Sequence, residues 1–172
     1  MDLTGPTKTE RGLYRPEFEH DACGVGVVAN TKGVASHAIV KNALEVLVNL
    51  AHRGAAGSDP ETGDGAGILL QIPDAFMREA AAKAGLKELP SPGDYAVGVA
   101  FLPQSETERA ICEVAVAESV ASEGQTFIGW RDVPVDPSAI GVAARNCQPS
   151  IRHFFVGRGE LTLDQESFER KL

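Results

Sequence analysis

His20-Asp21-Ala22-Cys23-Gly24-Val25-Gly26-Val27-Val28-Ala29 joins two unlike pieces of chain. Before it, Met1 to Glu19 is charged and turn-rich, with Gly5, Pro6, Gly12 and Pro16, and cannot build a core. After it the sequence turns apolar. The run from Gly24 to Ala29 reads as a buried strand, and Gly24 and Gly26 leave one of its faces bare for the close approach of another group. A thiol, Cys23, therefore sits where leader ends and fold begins.

The position matters if the Ala22-Cys23 bond is cut. Cys23 would then carry both a thiol, with a reference pKa of about 8.5, and a free α-amine, with one of about 8. A modest shift lets the amine accept the thiol proton, so nucleophile and base share one residue. With the bond intact the nitrogen is an amide without basicity. The thiol taken alone favours a buried cysteine at the head of a core strand, since Cys is commonly buried without any role.

Length and composition set the frame. A chain of 172 residues supports one domain and buries about 70% of its unfolded surface. The net charge of -8 argues against nucleic acid or an anionic membrane surface as partner. No stretch is apolar for the roughly 18 residues a membrane helix needs. The leader carries Asp2, Lys8, Glu10, Arg11, Arg15, Glu17 and Glu19 without an apolar core region, so it reads as a propeptide rather than a secretory signal. Cys23, Cys112 and Cys147 lie far apart, with neither C-x-x-C nor zinc spacing, so no metal site or disulfide framework is expected. Three free thiols fit a reducing compartment, and the expectation is cytoplasmic.

Along the chain, Val40, Ala43, Leu44, Leu47, Leu50 and Ala51 make a helical stripe over Ser36 to Ala51, with Ser36 as cap and Gly54 as terminator. His52 to Gly67 is a long Gly-, Asp- and Thr-rich loop, and such loops are usually functional or mobile. Ile68 to Ile72 reads as a short strand. Pro73-Asp74 opens a helix over Phe76, Met77 and Ala80 that stops at Gly85. Leu89 to Gly93 is a turn, Tyr95 to Leu102 a buried strand, and Ser105-Glu106-Thr107-Glu108 a capping box for a helix ending near Gly124. Gln125 to Trp130 and Ile151 to Val156 are further strands, around an irregular segment at Pro134 and Pro137. Asp164 to Leu172 begins another element. The alternation by itself favours a parallel α/β sheet.

Two features of the long loop carry chemistry. Arg53 begins it, where its guanidinium could hold a carbonyl or a carboxylate near the end of the first strand. As a bland alternative it is a cation at a helix C-terminus, favourable by about 0.3 to 1 kcal/mol. Gly63-Asp64-Gly65-Ala66-Gly67 lacks the G-x-G-x-x-G spacing and the Lys-Ser/Thr of a phosphate loop, and it leads into a strand rather than a helix. It reads as a tight turn close to an active site, with Asp64 ordering the loop. His52, at a helix end, and His37 and His153, without telling partners, read as structural, and Cys112 as core.

Glu19 to Gly26, His52-Arg53-Gly54, Thr62-Gly63-Asp64-Gly65-Ala66-Gly67 and Ile128-Gly129-Trp130-Arg131-Asp132-Val133-Pro134 together resemble, in order and distance, the glutamate synthase family. Its large subunit carries a class II, N-terminal-nucleophile glutamine amidotransferase domain. The resemblance spans residues 17 to 172. It implies an α+β fold, a four-layer αββα sandwich of two mostly antiparallel sheets between helices, here incomplete. It divides the chain into a propeptide-like leader, 1–22, and the N-terminal portion of the amidotransferase domain, 23–172.

It also implies hydrolysis of the glutamine side-chain amide, with ammonia passed on for glutamate synthesis from 2-oxoglutarate. Cys23 would be the nucleophile and its α-amine the base, Arg53 a substrate-binding or supporting residue, and Asp64 a loop-ordering one. The implied partners are glutamine, the synthase domain of the parent chain and a small NAD(P)H-oxidising subunit. No cofactor is implied in this chain; FMN and an iron-sulfur cluster belong to the synthase part. The sequence departs from the class in lacking the His-Asn-Gly whose Asn-Gly supplies oxyanion donors, and in showing no Arg segment for the glutamine carboxylate. On that ground a fragment is expected, inactive by itself. A non-catalytic amidotransferase-like binding or regulatory module and another N-terminal-nucleophile hydrolase are the alternative readings.

Overall fold

The computed structural model describes residues 24–54, 59, 61–63, 65–162 and 164–172. These fall into two compact units: the described residues of Met1–Ser58 with Gly63–Ile68, and Asp59–Thr62 with Leu69–Leu172. The leader, Cys23 and Asp64 lie outside the described residues.

In the first unit the segment from Gly24 to Ala29 is not the buried strand expected. It joins no ladder, and Val25 and Val27 are 88% and 86% exposed. The chain then turns at Asn30, whose side chain accepts from the Lys32 N–H at 2.8 Å while its carbonyl accepts from Gly33 N–H. Helix α1, His37–Asn49, follows with extended Ser36 before it. A three-residue 3-10 turn, Ala51–Arg53, continues from its end, and Gly54 leaves it in an extended conformation.

The second unit holds α2 (Asp74–Lys83), β1 (Tyr95–Leu102), α3 (Glu106–Ser122), β2 (Thr126–Asp132), α4 (Val142–Asn146), β3 (Ser150–Gly157) and α5 (Gln165–Glu169). Asp74 in the first turn of α2 and Lys83 in its last complement the helix dipole. Ser105 caps α3, its hydroxyl accepting from Glu108 N–H at 3.5 Å. Both long helices end the same way. Gly85 at φ +72 and Gly124 at φ +71 reverse the chain so that Leu86 N–H reaches Ala81 O and Gln125 N–H reaches Val120 O. This pair of left-handed glycines with six-to-one bonds is the Schellman stop.

The three strands form one antiparallel sheet in the order β1-β3-β2. The parallel sheet favoured by element alternation is therefore overturned. β1 and β2 do run in the same direction, joined across α3, but β3 is slotted between them and opposes both. The sheet is part of an α+β fold. Ile68 to Ile72 forms no strand, with Leu69 fully exposed; an apolar run that joins no ladder does not become a strand. The short helix α4, in the segment read as irregular, was not anticipated.

Alternation along β3 sorts its side chains onto two faces. On one lie Arg152, Phe154 and Val156, packed beneath α3. The Phe154 ring covers the bare Gly98 on β1 and stands 5.4 Å from the Trp130 ring on β2. Arg152 bonds Glu113 of α3 at 2.5 Å, lies 2.7 Å from Asp132 and stacks over Trp130 at 5.5 Å. On the opposite face Phe155, fully buried, joins Ala81, Leu89 and Tyr95 in the core, with Met77, Leu86, Val97 and Ile128 around them. Farther along that face the apolar surface is open, with Val99 51% and Phe101 69% exposed. A polar strap closes the core's edge: Tyr95 donates to Asp74 at 2.9 Å, Arg78 binds Asp74 at 3.0 Å, and the Arg78 guanidinium also donates to the Leu89 and Pro90 carbonyls.

Candidate active site

Three residues of the first unit define its working face. Val46, Leu50 and Arg53 follow one another at spacings of four and three, which places them on a single side of a helical path. Against this side run Gly24 and Gly26. A Cβ added to Gly24 would lie 2.8 Å from Leu50 Cδ2 and 3.3 Å from Arg53 Cγ, and one added to Gly26 would overlap Val46. The bare face that the two glycines present is thus occupied by the helix, and residues 24 to 26 run opposite to α1. Val25 and Val27 point away from it, which explains why they are exposed.

Arg53 therefore lies beside Gly24, the residue directly after Cys23. Its backbone N–H closes the turn onto Leu50 O at 2.8 Å, while its guanidinium has no hydrogen-bond or ion-pair partner among the described residues. His52 acts as expected of a helix-end histidine: Nδ1 donates to the Asn49 carbonyl at 2.9 Å, and the carbonyl as sole acceptor fixes that tautomer. Of the anticipated site residues, only Arg53 is described.

In the second unit the loop portion Asp59–Thr62 is bound to a distant segment. Asp59 Oδ1 accepts from Glu61 N–H at 3.1 Å, and Oδ2 accepts from Thr62 Oγ1 at 3.1 Å and from Ala143 N–H at 3.2 Å. Gly141 N–H donates back to Glu61 O at 3.1 Å. These bonds, Ala143 foremost, hold the Asp59 carboxyl below its usual range. The sequence marked this stretch only as part of a long loop; the partner of Asp59 more than eighty residues away was not legible.

His153 is not the partnerless histidine expected. Directly opposite Arg131 in the β2–β3 register, its Nδ1 accepts from the guanidinium at 3.0 Å. Burial first and Arg131 second push the imidazole below its usual value. Arg131 in turn lies over Phe76 at 5.7 Å. Cys112 is half-buried on α3 rather than in the core, and exposed Cys147 donates its thiol to Ala143 O at 2.9 Å. Among the described residues no group of His, Cys, Asp and Glu is placed to hold a metal ion, and no helix is long and apolar enough to cross a membrane.

A model of the family Glutamine amidotransferases class-II matches residues 23–172, beginning at Cys23. The chain belongs to the class II glutamine amidotransferases. It is 49% identical over 162 residues to the glutamate synthase (NADPH) large chain of Bacillus subtilis (strain 168), a match covering 94% of this chain and 10% of that protein. The glutamate synthase (NADH) of Saccharomyces cerevisiae (strain ATCC 204508 / S288c) is 44% identical over 146 residues, 83% of this chain and 7% of that one. The ferredoxin-dependent glutamate synthase 2 of Synechocystis sp. (strain ATCC 27184 / PCC 6803 / Kazusa) is 42% identical over 140 residues, 80% and 9% respectively. The chain spans about a tenth or less of the length of these curated relatives.

Proposed function

We propose that this chain is the glutamine-hydrolysing part of a glutamate synthase, with Cys23 as nucleophile once residues 1–22 are removed. The observation that carries the reading is the contact of Gly24, the residue that follows the thiol, with the stem of Arg53, an arginine whose guanidinium has no partner among the described residues. The freed α-amine of Cys23 takes the thiol proton, and the sulfur attacks the γ-amide carbon. Collapse of the tetrahedral intermediate expels ammonia, which leaves with the returned proton, and water then hydrolyses the γ-glutamyl thioester. Arg53 orients the substrate carboxylate or a site carbonyl, a task suited to a planar fork of donors. Asp64 orders the Gly-rich turn.

Under this reading the ammonia serves glutamate synthesis from 2-oxoglutarate in a synthase domain of the parent protein. FMN and iron-sulfur chemistry reside there, and a small NAD(P)H-oxidising subunit is the electron-delivering partner. The four-layer sandwich fits the sheet described above, with α3 on one face and an open apolar stretch at Val99 and Phe101 on the other, where a second sheet would pack. The test is intact-mass and N-terminal analysis of the full-length protein with glutaminase assays of Cys23→Ser. A mature N-terminus at Cys23 and loss of ammonia release from glutamine are expected. An active protein that retains Met1 to Ala22 overturns the shared nucleophile-and-base mechanism.

A further inference from the structure

Each face of the sheet carries an arginine, and the two are differently served. Arg152, on the face beneath α3, has Glu113 of that helix and Asp132 of β2 as counter-charges. Arg131 lies on the other face. It stands opposite His153 in the β2–β3 register, and His153 stands opposite Val99 in that of β1 and β3, so Val99, His153 and Arg131 form one row across all three strands. Phe101 and Ile151 make the next row, which puts Arg131 at the border of the open apolar stretch. Helix α2 covers this face only around Phe155, where Met77 and Ala81 pack; Phe76, Val99 and Phe101 remain exposed.

A guanidinium offers five N–H donors and cannot shed its charge. Arg131 gives Nη1 to His153 Nδ1 at 3.0 Å and lies over the Phe76 ring at 5.7 Å. Neither partner carries a negative charge, and among the described residues no carboxylate comes within ion-pair distance of it. Asp132, next in sequence, points to the opposite face and binds Arg152. While the face is open, water serves the remaining donors. Once it is covered, an unpaired cation in an apolar contact is costly, and the α3 face shows the remedy: the covering element brings an acid. From this asymmetry we infer that the element covering the Val99–Phe101 face carries an Asp or Glu that pairs with Arg131. The occupant is the second sheet of the sandwich, supplied by the parent protein from outside the second unit, and the inference rests on the amidotransferase reading given above. A second copy of this chain does not serve, since the same patch would bring another unpaired cation instead of an acid.

The experiment uses the full-length protein with Arg131→Lys, Arg131→Met and Cys23→Ser. Arg131→Lys keeps the charge and offers an amine. A water-soluble carbodiimide joins that amine to a carboxylate in contact with it, forming an amide as one water is taken up by the reagent, and peptide mass spectrometry names the acid. A link within one molecule, from position 131 to an Asp or Glu outside the second unit, is expected. Arg131→Met leaves that acid without its partner and should lower the melting temperature by roughly 6 to 20 °C. Replacing the identified acid by Leu in the same protein should restore part of the loss, as coupling across a contact requires. A face that meets no acid gives the opposite result, because Met then relieves a buried charge and melting stays or rises. That outcome overturns the inference, as do the absence of a link, a link confined to acids of the second unit, and a link between copies in a mixture of isotope-labelled and unlabelled protein. Where Arg131→Met fails to fold, the link decides alone. With Cys23→Ser inactive, these failures overturn the pairing and leave the amidotransferase reading in place; a Cys23→Ser protein that still releases ammonia from glutamine overturns that reading itself.

Discussion

Gly24 faces the stem of Arg53, with Leu50 between it and the body of α1. The relationship depends on the absence of two side chains, so adding them back is the most direct probe. Gly26→Ala must push against the branched, stiff Val46, and overpacking of this kind costs about 1–3 kcal/mol. Gly24→Ala meets the rotatable ends of Leu50 and Arg53 and should cost less. Chemical denaturation of the two variants checks the ranking, and an equal effect at both sites would mean that the segment does not lie on the helix as described.

Arg53→Ala and Arg53→Lys should both raise the glutamine KM of the full-length protein. The range expected is about 10- to 100-fold, that of one hydrogen bond to a charged group. Lysine keeps the charge but not the fork, so it should rescue little. Steady-state kinetics separate this from the helix-end role, in which melting temperature falls and KM stays put.

The Tyr95 phenol, buried and donating to Asp74, has its pKa pushed up to about 12 from 10.0. Its folded value lies above its unfolded one. The stability it contributes is therefore complete below pH 10 and is lost as pH rises toward 12. Spectrophotometric titration should show a late phenolate step that disappears in Tyr95→Phe; a Tyr95 that ionises at the ordinary value would remove the strap between α2 and β1 from the account.

His153 titrates in the other direction. Its folded value lies below the ordinary 6.5, so the neutral ring's contribution is present above that value and lost as pH falls through the folded one. The ring should stay neutral near pH 7 with Nδ1 accepting from Arg131, and NMR titration should place its midpoint below 6.5. Arg131→Gln removes the smaller of the two causes and should move the midpoint part of the way back; an unchanged midpoint would show that burial acts alone.

What the sequence made legible was whatever is settled within a turn or two of chain. Ser105 and Glu108 marked the start of α3, Gly85 and Gly124 the left-handed stops, and Tyr95 to Leu102 a strand with both ends in place. Long-range matters were not written there. Strand direction followed from β3 entering between β1 and β2, which no local period encodes. Gly24 to Ala29 and Ile68 to Ile72 had the composition of strands, but a strand exists only through its neighbours. The place of Arg53 at the end of the helical path was readable because a helix end and a loop start coincide there. The Arg131–His153 pair and the Asp59 joint each bring together residues far apart in sequence, so neither left a pattern to read.

The strand order has a consequence for synthesis. The central strand of the sheet is the last of the three to be made, so β1 and β2 leave the ribosome without the partner that each requires and cannot pair with one another. At about 5–20 residues per second, β1 waits several seconds for β3, with both of its edges open to other chains. Until β3 begins to emerge these strands have no ladder. Such edges are where non-native strand pairing begins, and the one segment whose arrival covers an edge of β1 and an edge of β2 at once is Ser150–Gly157. Substitutions that weaken β3 should therefore reduce the yield of correctly made protein more than they reduce the stability of molecules already folded.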